Sequence, residues 1–243
     1  MTHRSFCEHL PQPGPEQVNP RVVLAGAEAR HLSSVLRLGP GDPVELFDGQ
    51  GVWARAEIVG ESRREVELVV HELEHEPPGD GPEVVLATAV PKGDRVRSLV
   101  EKATELGVDR LVPLRTQRSV VHPRDGKQKK MRQAVISACK QCGRNRLMQI
   151  DPLTAWTDLL AVGDQSMVMA QRGGLAAIGE LEKNLGQSTG SLVLCVGPEG
   201  GWTDQELAAA VEMGATMIGL GRHVLRIETA AVALASLVAV QMA

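Results

Sequence analysis

The chain has 243 residues, enough for one large domain or two small ones, and 43% of them are hydrophobic, enough to form a substantial core. No run of apolar residues is close to the length of about 20 residues that a helix needs to cross a bilayer. The N-terminal residues lack the apolar stretch of a signal peptide. We therefore expect a cytoplasmic protein with no membrane partner. Aromatic residues are only 2% of the chain, which argues against a surface that binds single strands by stacking bases on aromatic rings.

Residues 1–75 have the pattern of a small β domain. Three segments alternate partly between apolar and polar residues, as half-buried strands do: 43–47, 52–59 and 65–70. Asp48 and Gly49 form a turn signal between the first two, and a short helix is expected at 27–38. The sequence predicts a small β-barrel domain over 1–75. The Pro- and Gly-rich residues 76–82 follow it, and we interpret them as a linker.

Residues 83–243 have the pattern of an α/β domain. Short apolar segments are expected to be strands at 84–90, 108–114, 167–170, 192–196 and 216–220. Helical segments lie between and after them, at 94–106, 127–142 and 228–242. Such an alternation of strands and helices predicts a parallel sheet that is covered by helices.

The first candidate site is the glycine-rich turn that follows the strand at 192–196. It comprises Gly197, Pro198, Glu199, Gly200 and Gly201, and Thr203 and Glu206 then have the spacing of a capping box that begins a helix. This order brings bare backbone to a ligand at the carboxyl edge of a sheet. The turn is neither a Walker loop nor a dinucleotide fingerprint, and the Glu199 carboxylate would repel phosphates. It suits the ribose hydroxyls and the sulfonium of S-adenosylmethionine, although an ordinary strand-to-helix turn would have the same composition.

A second polar cluster precedes the last helix. Gly219 and Gly221 allow close approach of the backbone. Four polar side chains then fall within seven residues: Arg222, His223, Arg226 and Glu228. Crowding of this kind beside a glycine-rich loop favours a binding or catalytic site. Helix capping together with a surface ion pair is the alternative.

The charge is unevenly distributed along the chain. The net charge is −4, yet residues 110–146 contain eleven Lys or Arg residues and one acidic residue, Asp125. A basic stripe on an acidic protein can bind a polyanion such as RNA, and a solvated helix face is the alternative. Cys139 and Cys142 have the spacing of half a zinc site, but no second pair completes four ligands. We therefore expect no metal.

Several motifs together resemble one known family. They are Gly-Pro-Glu-Gly-Gly at 197–201, Leu-Gly at 220–221 and Leu-Arg-x-Glu-Thr-Ala at 225–230. Shorter pieces fit in order before them: His31 with Leu36 and Arg37, Phe47-Asp-Gly49, Glu105-Leu-Gly-Val108, Arg118-Ser119 and Gln141-Cys-Gly-Arg-Asn-Arg146. Over essentially its whole length the chain resembles the RsmE family, ribosomal small-subunit RNA uridine-N3 methyltransferases of the SPOUT superfamily.

The resemblance implies a fold and an assembly. The fold is a PUA-like β-barrel RNA-binding domain followed by a methyltransferase domain with a parallel sheet and a deep trefoil knot. The assembly is a homodimer that acts on 16S ribosomal RNA, in the assembled small subunit. The predicted function is methylation of N3 of a specific uridine in that RNA. Two alternatives stay open: a non-catalytic RNA-binding module on the same fold, and an enzyme that binds a phosphorylated nucleotide in the same turn.

The resemblance also implies site residues. The cofactor S-adenosylmethionine would lie against Gly197, Pro198, Glu199, Gly200, Gly201, Leu220, Gly221, Val224, Leu225 and Arg226. Arg226 and Glu228 would be nearest the transferred methyl and are the candidate catalytic residues. The candidate RNA contacts are Arg4, Arg37, Arg118, Arg144 and Arg146. The chain departs from the family pattern at Lys140, Met148 and Ile227.

Overall fold

The computed structural model describes residues 2–12, 19–62, 64–120, 125–162, 165–187 and 190–242, without the side chains of 125–127 and 187. Part of the basic segment, residues 121–124, lies outside the described residues. The chain forms two compact units, Met1–Gly79 with Cys139–Leu147 and Asp80–Ala138 with Met148–Ala243. The predicted linker at 76–82 spans the first of these divisions. The return of residues 139–147 to the first unit is a feature that no local pattern in the sequence indicates.

The first unit is built on a five-stranded sheet. Its elements in chain order are β1 (His3–Phe6), β2 (Arg21–Ala25), α1 (Gly26–Arg30), a π-helical turn (His31–Val35), β3 (Pro43–Phe47), β4 (Val52–Glu61) and β5 (Glu65–His75). The strand order is β1-β3-β4-β5-β2, with β1 parallel to β3 and the other pairs antiparallel. Along β3, Val44 and Leu46 are buried while Pro43 and Glu45 are more exposed, as the period of two requires, and Phe47 at the end of the strand is buried as well.

Residues 145–147 extend the first unit at the turn between β3 and β4. The Leu147 amide donates to Gly49 O at 2.9 Å, and the Gly51 amide donates to Asn145 O at 3.2 Å. Gly49 and Gly51 have φ of +80° and +110°, values that residues with a side chain rarely adopt. The glycine turn therefore forms an acceptor and a donor for a distant segment of the chain.

The second unit is built on a parallel sheet. Its elements are β6 (Glu83–Ala89), α2 (Arg95–Glu105), β7 (Arg110–Arg115), α3 (Asp125–Cys142, whose end belongs to the first unit), β8 (Gln149–Ile150), β9 (Thr154–Ala155), α4 (Trp156–Leu160), β10 (Gln165–Ala176), α5 (Ala177–Gln187), β11 (Ser191–Val196), α6 (Asp204–Glu212), β12 (Thr216–Gly219) and α7 (Ile227–Met242). The strand order is β12-β10-β11-β6-β7-β8, with β9 also on β7, and the paired strands are all parallel. The predicted α/β fold is confirmed.

Strand β10 differs most from its prediction. The apolar pattern predicts a strand at 167–170, and the structure extends it to Ala176 through a bulge. Ala170 and Leu175 both pair with Ile218 of β12, so residues 171–174 stand out of the ladder. Gly173 has φ of +72°, and a Cβ on Gly174 would lie 2.5 Å from Ile218 C. The glycines permit this bulge. Because the residues in it are not apolar, the hydrophobic pattern does not indicate that the strand continues beyond Ala170.

Helix α2 shows why the helical predictions succeed. It buries Val96, Leu99, Val100 and Ala103, which share one face at the spacing of 3.6 residues per turn. The sequence does not predict helices α4 and α5 as separate elements.

Among the described residues, no helix combines the length and the apolar composition that a membrane span requires.

Candidate active site

The glycine-rich turn lies between β11 and α6, as the sequence predicts. The Gly201 amide donates to Pro198 O at 2.8 Å and closes the turn, and Gly201 has φ of +70°. Helix α6 then begins with the predicted capping box. The Glu206 amide donates to Thr203 Oγ1 at 3.2 Å, and the Thr203 amide donates to Glu206 Oε2 at 2.9 Å. The helix start is thereby fixed directly behind the turn.

Gly197 is required by the packing of Trp202. A Cβ on Gly197 would lie 2.9 Å from Trp202 Cε2, which is closer than real contacts allow. The indole is 6% exposed, its Nε1 donates to Ala170 O at 3.2 Å, and its ring centroid is 4.8 Å from that of Trp156. The turn therefore rests on a rigid aromatic pair.

Arg118 holds the other side of the turn. The sequence predicts this residue as an RNA contact, and the structure places its Nη1 2.8 Å from Gly200 O and 3.2 Å from Trp202 O, as a donor to both. A Cβ on Gly200 would lie 3.3 Å from Arg118 Cβ and Cδ. Next to Arg118, the Gln117 amide donates to Glu206 Oε1 at 2.8 Å. The segment after β7 is thus joined to the turn and to α6.

The two glycine-containing segments line one cavity of about 330 Å³ in the second unit. Of the ten residues predicted to contact the cofactor, nine lie in its wall: Gly197, Pro198, Glu199, Gly200, Gly201, Leu220, Gly221, Val224 and Leu225. Arg226 is the tenth and does not line it. The turns follow β11 and β12, so the cavity lies at the carboxyl ends of parallel strands in one sheet, where ligands collect in α/β folds.

Sequence reasoning missed one wall of this cavity. Ala170, at the last pair before the bulge of β10, lines it together with Gln171 and Arg172 in the bulge. Trp202, Ile227 and His223 also contribute, and of these His223 belongs to the polar cluster that the sequence predicts. Arg172 is exposed at this wall. The sequence Gln171 to Gly174 interrupts the apolar strand with two glycines, and this interruption is the signal that could have indicated a bulge.

The candidate catalytic residues lie at the start of α7. Arg226 is exposed, and its carbonyl oxygen accepts from the Ala230 amide at 2.9 Å, as the first bond of the helix. The Glu228 side chain is 16% exposed, and its Oε1 lies 3.5 Å from Arg95 Nη1. Arg95 Nη2 in turn lies 3.9 Å from Glu199 Oε1 in the glycine-rich turn. Arg95, which the sequence does not single out, therefore contacts carboxylates of both candidate segments.

Two further arginines predicted to contact RNA have internal contacts in the first unit. Arg4 Nε lies 2.6 Å from Glu45 Oε1, and its guanidinium carbon lies 4.8 Å from the centre of the Phe47 ring. Arg4 also donates to Cys139 O at 3.0 Å and to Asn145 Oδ1. Arg146 Nη2 donates to Glu76 O at 2.6 Å and lies against Gly51. These contacts hold residues 139–147 in place, so a structural role accounts for both arginines.

The remaining RNA candidates are Arg37 and Arg144. Arg37 is exposed and has φ of +58°, the left-handed conformation that usually favours glycine. It follows the π-helical turn, where the Leu38 amide donates to Leu32 O at 3.0 Å. Arg144 is half-buried. Whether any of the five arginines contacts RNA stays a prediction.

The three departures from the family pattern have structural contexts. The Lys140 ammonium lies 2.9 Å from Glu28 Oε2 and pairs with that carboxylate in the first unit. Met148 is 3% exposed, beside the Thr104 hydroxyl. Ile227 is also 3% exposed and lines the cavity, where it contributes apolar surface and no hydroxyl.

The cysteines do not belong to a metal site in the part of the chain that the structure describes. No group of three or more His, Cys, Asp or Glu side chains there is placed so that it could hold a metal ion. Cys139 is buried and Cys142 is exposed, so the two thiols lie in different environments. Cys195 lies inside β11, and burial raises the pKa of its thiol far above the ordinary value. Independence from metal stays a prediction.

Comparisons with known proteins agree with this architecture. A model described as an RNA methyltransferase domain matches residues 79–239, and one described as an RNA methyltransferase PUA domain matches residues 24–70. A ribosomal RNA small subunit methyltransferase E from Bacillus subtilis is 30% identical over 222 residues, which are 87% of this chain and 86% of that protein. Its counterpart from Synechocystis is 32% identical over 89% of this chain and 72% of that protein.

Solved structures are similar over the whole chain. A ribosomal RNA small subunit methyltransferase E from Neisseria gonorrhoeae, bound to S-adenosyl methionine, superposes with a TM-score of 0.82 and 29% identity, covering 99% of this chain and 97% of that one. A methyltransferase from Legionella pneumophila, in complex with the same cofactor, gives a TM-score of 0.83 and 26% identity, covering 99% and 98%. The PUA domain and the α/β domain are therefore confirmed, while the trefoil knot stays a prediction. The chain belongs to the RsmE family, the ribosomal RNA small subunit methyltransferases E.

Proposed function

We propose that this protein binds S-adenosylmethionine in the cavity between its two glycine-containing turns and transfers the methyl group to N3 of a uridine in 16S ribosomal RNA. The observation that carries the proposal is the convergence of residues 197–201 and 220–225 on one cavity at the carboxyl edge of the sheet. These segments are separated in sequence, and the resemblance to the RsmE family implies that both contact the cofactor. Two similar solved structures contain S-adenosylmethionine, and the Bacillus subtilis relative is a ribosomal RNA methyltransferase, which supports the same conclusion.

The cavity fits the cofactor in size and in chemistry. A volume of about 330 Å³ is at the lower end of the range for small-molecule sites. Leu220, Val224, Leu225 and Ile227 supply apolar surface for an adenine ring. Main-chain amides and carbonyls of the two turns can supply hydrogen-bond donors and acceptors for the polar edge of the adenine ring. The Glu199 carboxylate can accept from ribose hydroxyls and complements a cationic centre, whereas a triphosphate would be repelled.

The residues at the start of α7 suit the acceptor base. S-adenosylmethionine, when bound, supplies an electrophilic methyl group on a sulfonium. The N3 proton of uridine does not leave freely at neutral pH, so the site must assist its removal or stabilise the uracil anion. The exposed guanidinium of Arg226 stabilises that anion by charge. Glu228 is the candidate to accept the proton. The base must be presented unpaired, which requires a partly single-stranded RNA target.

The partners follow from the same proposal. The substrate is the small ribosomal subunit, and the protein acts in the cytoplasm without a metal. Two copies associate through exposed apolar side chains of the second unit: Leu175 near the end of β10, Ile178 in α5, and Val240 and Met242 at the end of α7. These side chains are 44% to 78% exposed, and the Gln241 amide nitrogen donates to Ile178 O at 3.3 Å, which joins the two helices.

Substitution of Gly200 tests the proposal. Gly200→Val places a branched side chain against Arg118, whose Cβ and Cδ would lie only 3.3 Å from any Cβ at this position. We expect loss of S-adenosylmethionine binding in calorimetry and loss of methyl transfer to small subunits from a strain that lacks the gene. Gly186→Val is the matched control, because Gly186 is on α5 with open space around it. Methyl transfer that persists in Gly200→Val would refute the site, and ATP binding that matches binding of the methyl donor would refute the ligand.

A further inference from the structure

The contact of Arg95 with two carboxylates carries an inference beyond the contacts predicted from the sequence. Arg95 is the first residue of α2, far in sequence from both turns. One of its terminal nitrogens lies 3.5 Å from Glu228 Oε1, and the other lies 3.9 Å from Glu199 Oε1. Its Nε donates to Lys92 O at 3.3 Å, which fixes the direction of the guanidinium. A single side chain thus contacts the glycine-rich turn and the start of α7.

The charges of the three side chains favour this contact. Glu199 and Glu228 carry like charges, and Arg95 lies close to both of them. Glu228 Oε2 is buried and has no hydrogen-bond partner among the described residues. Without Arg95, neither oxygen of the Glu228 carboxylate would have a partner among the described residues, although its side chain is only 16% exposed. The Glu228 side chain would then move toward solvent or toward another donor, because an unpaired buried charge is costly.

We propose that Arg95 is a positioning residue for methyl transfer, which holds Glu228 and Glu199 in fixed relation so that the acceptor base and the methyl donor are aligned. The inference rests on the proposed function. Its consequence is specific: loss of Arg95 lowers the rate of transfer more than it lowers the affinity for either substrate. Misplacement of reacting groups by about 1 Å can cost on the order of 100-fold in rate, whereas most of the cavity wall does not depend on Arg95.

The test compares Arg95→Ala with Arg97→Ala. Arg97 is on the same helix, is 71% exposed and pairs with Glu101 one turn away, so it controls for loss of a positive charge on α2. We expect kcat to fall about 10- to 100-fold in Arg95→Ala, with the calorimetric Kd for S-adenosylmethionine and the KM for small subunits within about threefold of wild type. Arg95→Lys should recover part of kcat, since one ammonium can reach one carboxylate but lacks the fork that spans two.

A double-mutant cycle separates positioning from a general structural effect. In a Glu228→Gln background, Arg95→Ala should add little further loss of kcat, because the group that it positions is already changed. Full multiplication of the two losses would overturn the inference, as would equal kcat in Arg95→Ala and Arg97→Ala. A raised KM with a smaller salt dependence of RNA binding would overturn it too, by making Arg95 a phosphate contact. If the wild-type chain transfers no methyl group, the proposed function fails and not this inference alone.

Discussion

Replacement of Gly197 by Ala tests how the candidate donor site is built. The new Cβ would lie 2.9 Å from Trp202 Cε2, 3.0 Å from Nε1 and 3.1 Å from Cδ2. The indole has little room to move, since it packs on Trp156 at 4.8 Å between ring centres and donates to Ala170 O. Insertion of a methyl group against a packed neighbour costs about 1–3 kcal/mol.

That cost can appear in two measurable ways. If Trp202 shifts, the free energy of unfolding falls by about 1–3 kcal/mol. If the turn shifts instead, the Kd for S-adenosylmethionine rises by about 5- to 150-fold, because each 1.4 kcal/mol corresponds to a factor of ten. We therefore expect the two losses together to reach at least about 1 kcal/mol.

Calorimetry with the methyl donor and denaturant unfolding on the same protein measure both losses. Gly179→Ala is the control, because Gly179 lies within α5 and a Cβ there meets nothing within 4 Å. The control should be unchanged or slightly more stable, since alanine favours the helix. If Gly197→Ala matches the control in both measurements, the packing of Trp202 on the turn does not determine the site.

Three further predictions follow from the described surface. The purified protein should be a dimer by light scattering at micromolar concentration, because Ile178, Val240 and Met242 expose large apolar side chains, and a monomer mass would contradict this. Replacement of the exposed Lys129 and Lys130 by Ala should lower the affinity for RNA and reduce its salt slope by about 0.7–0.9 for each phosphate that is no longer neutralised, while the control Lys183→Ala, on α5, should not. In the native protein a thiol reagent should label the exposed Cys142 quickly, and the three buried thiols, Cys7, Cys139 and Cys195, should react only on unfolding. Equal labelling of all four would show that the core opens readily.

The parts of the molecule that follow from local physics were predictable from the sequence. The five residues before Gly197, 192–196, are all apolar because the strand is buried there, as strands covered on both faces are. Thr203 with Glu206 caps the next helix by a pair of bonds between residues three positions apart. The resemblance implies the cofactor contacts, and nine of them lie around one cavity because they belong to the two segments that follow β11 and β12 of the same sheet.

The roles of the arginines were not predictable in the same way. A sequence shows that Arg118 and Arg146 are positive but does not show which acceptor each reaches. Arg118 contacts carbonyl oxygens 82 and 84 residues further along the chain, and Arg146 contacts one 70 residues before it. The positive charge of the segment that contains them predicts that both contact RNA. The contacts of Arg95 could not be predicted for the same reason, because the tertiary fold decides them. The bulge in β10 left a local signal in its two glycines, but its position in the cavity wall depends on the pairing of β10 with β12.

The identity of the methylated atom tests the central claim most directly. Small ribosomal subunits from a strain that lacks the gene should be incubated with the wild-type protein and S-adenosylmethionine, and the RNA digested and analysed by mass spectrometry for modified nucleosides. We predict a new methyl group on N3 of a single uridine in 16S ribosomal RNA, and none with Gly200→Val. A methyl group on carbon or on ribose, or no transfer by the wild-type protein, would contradict it.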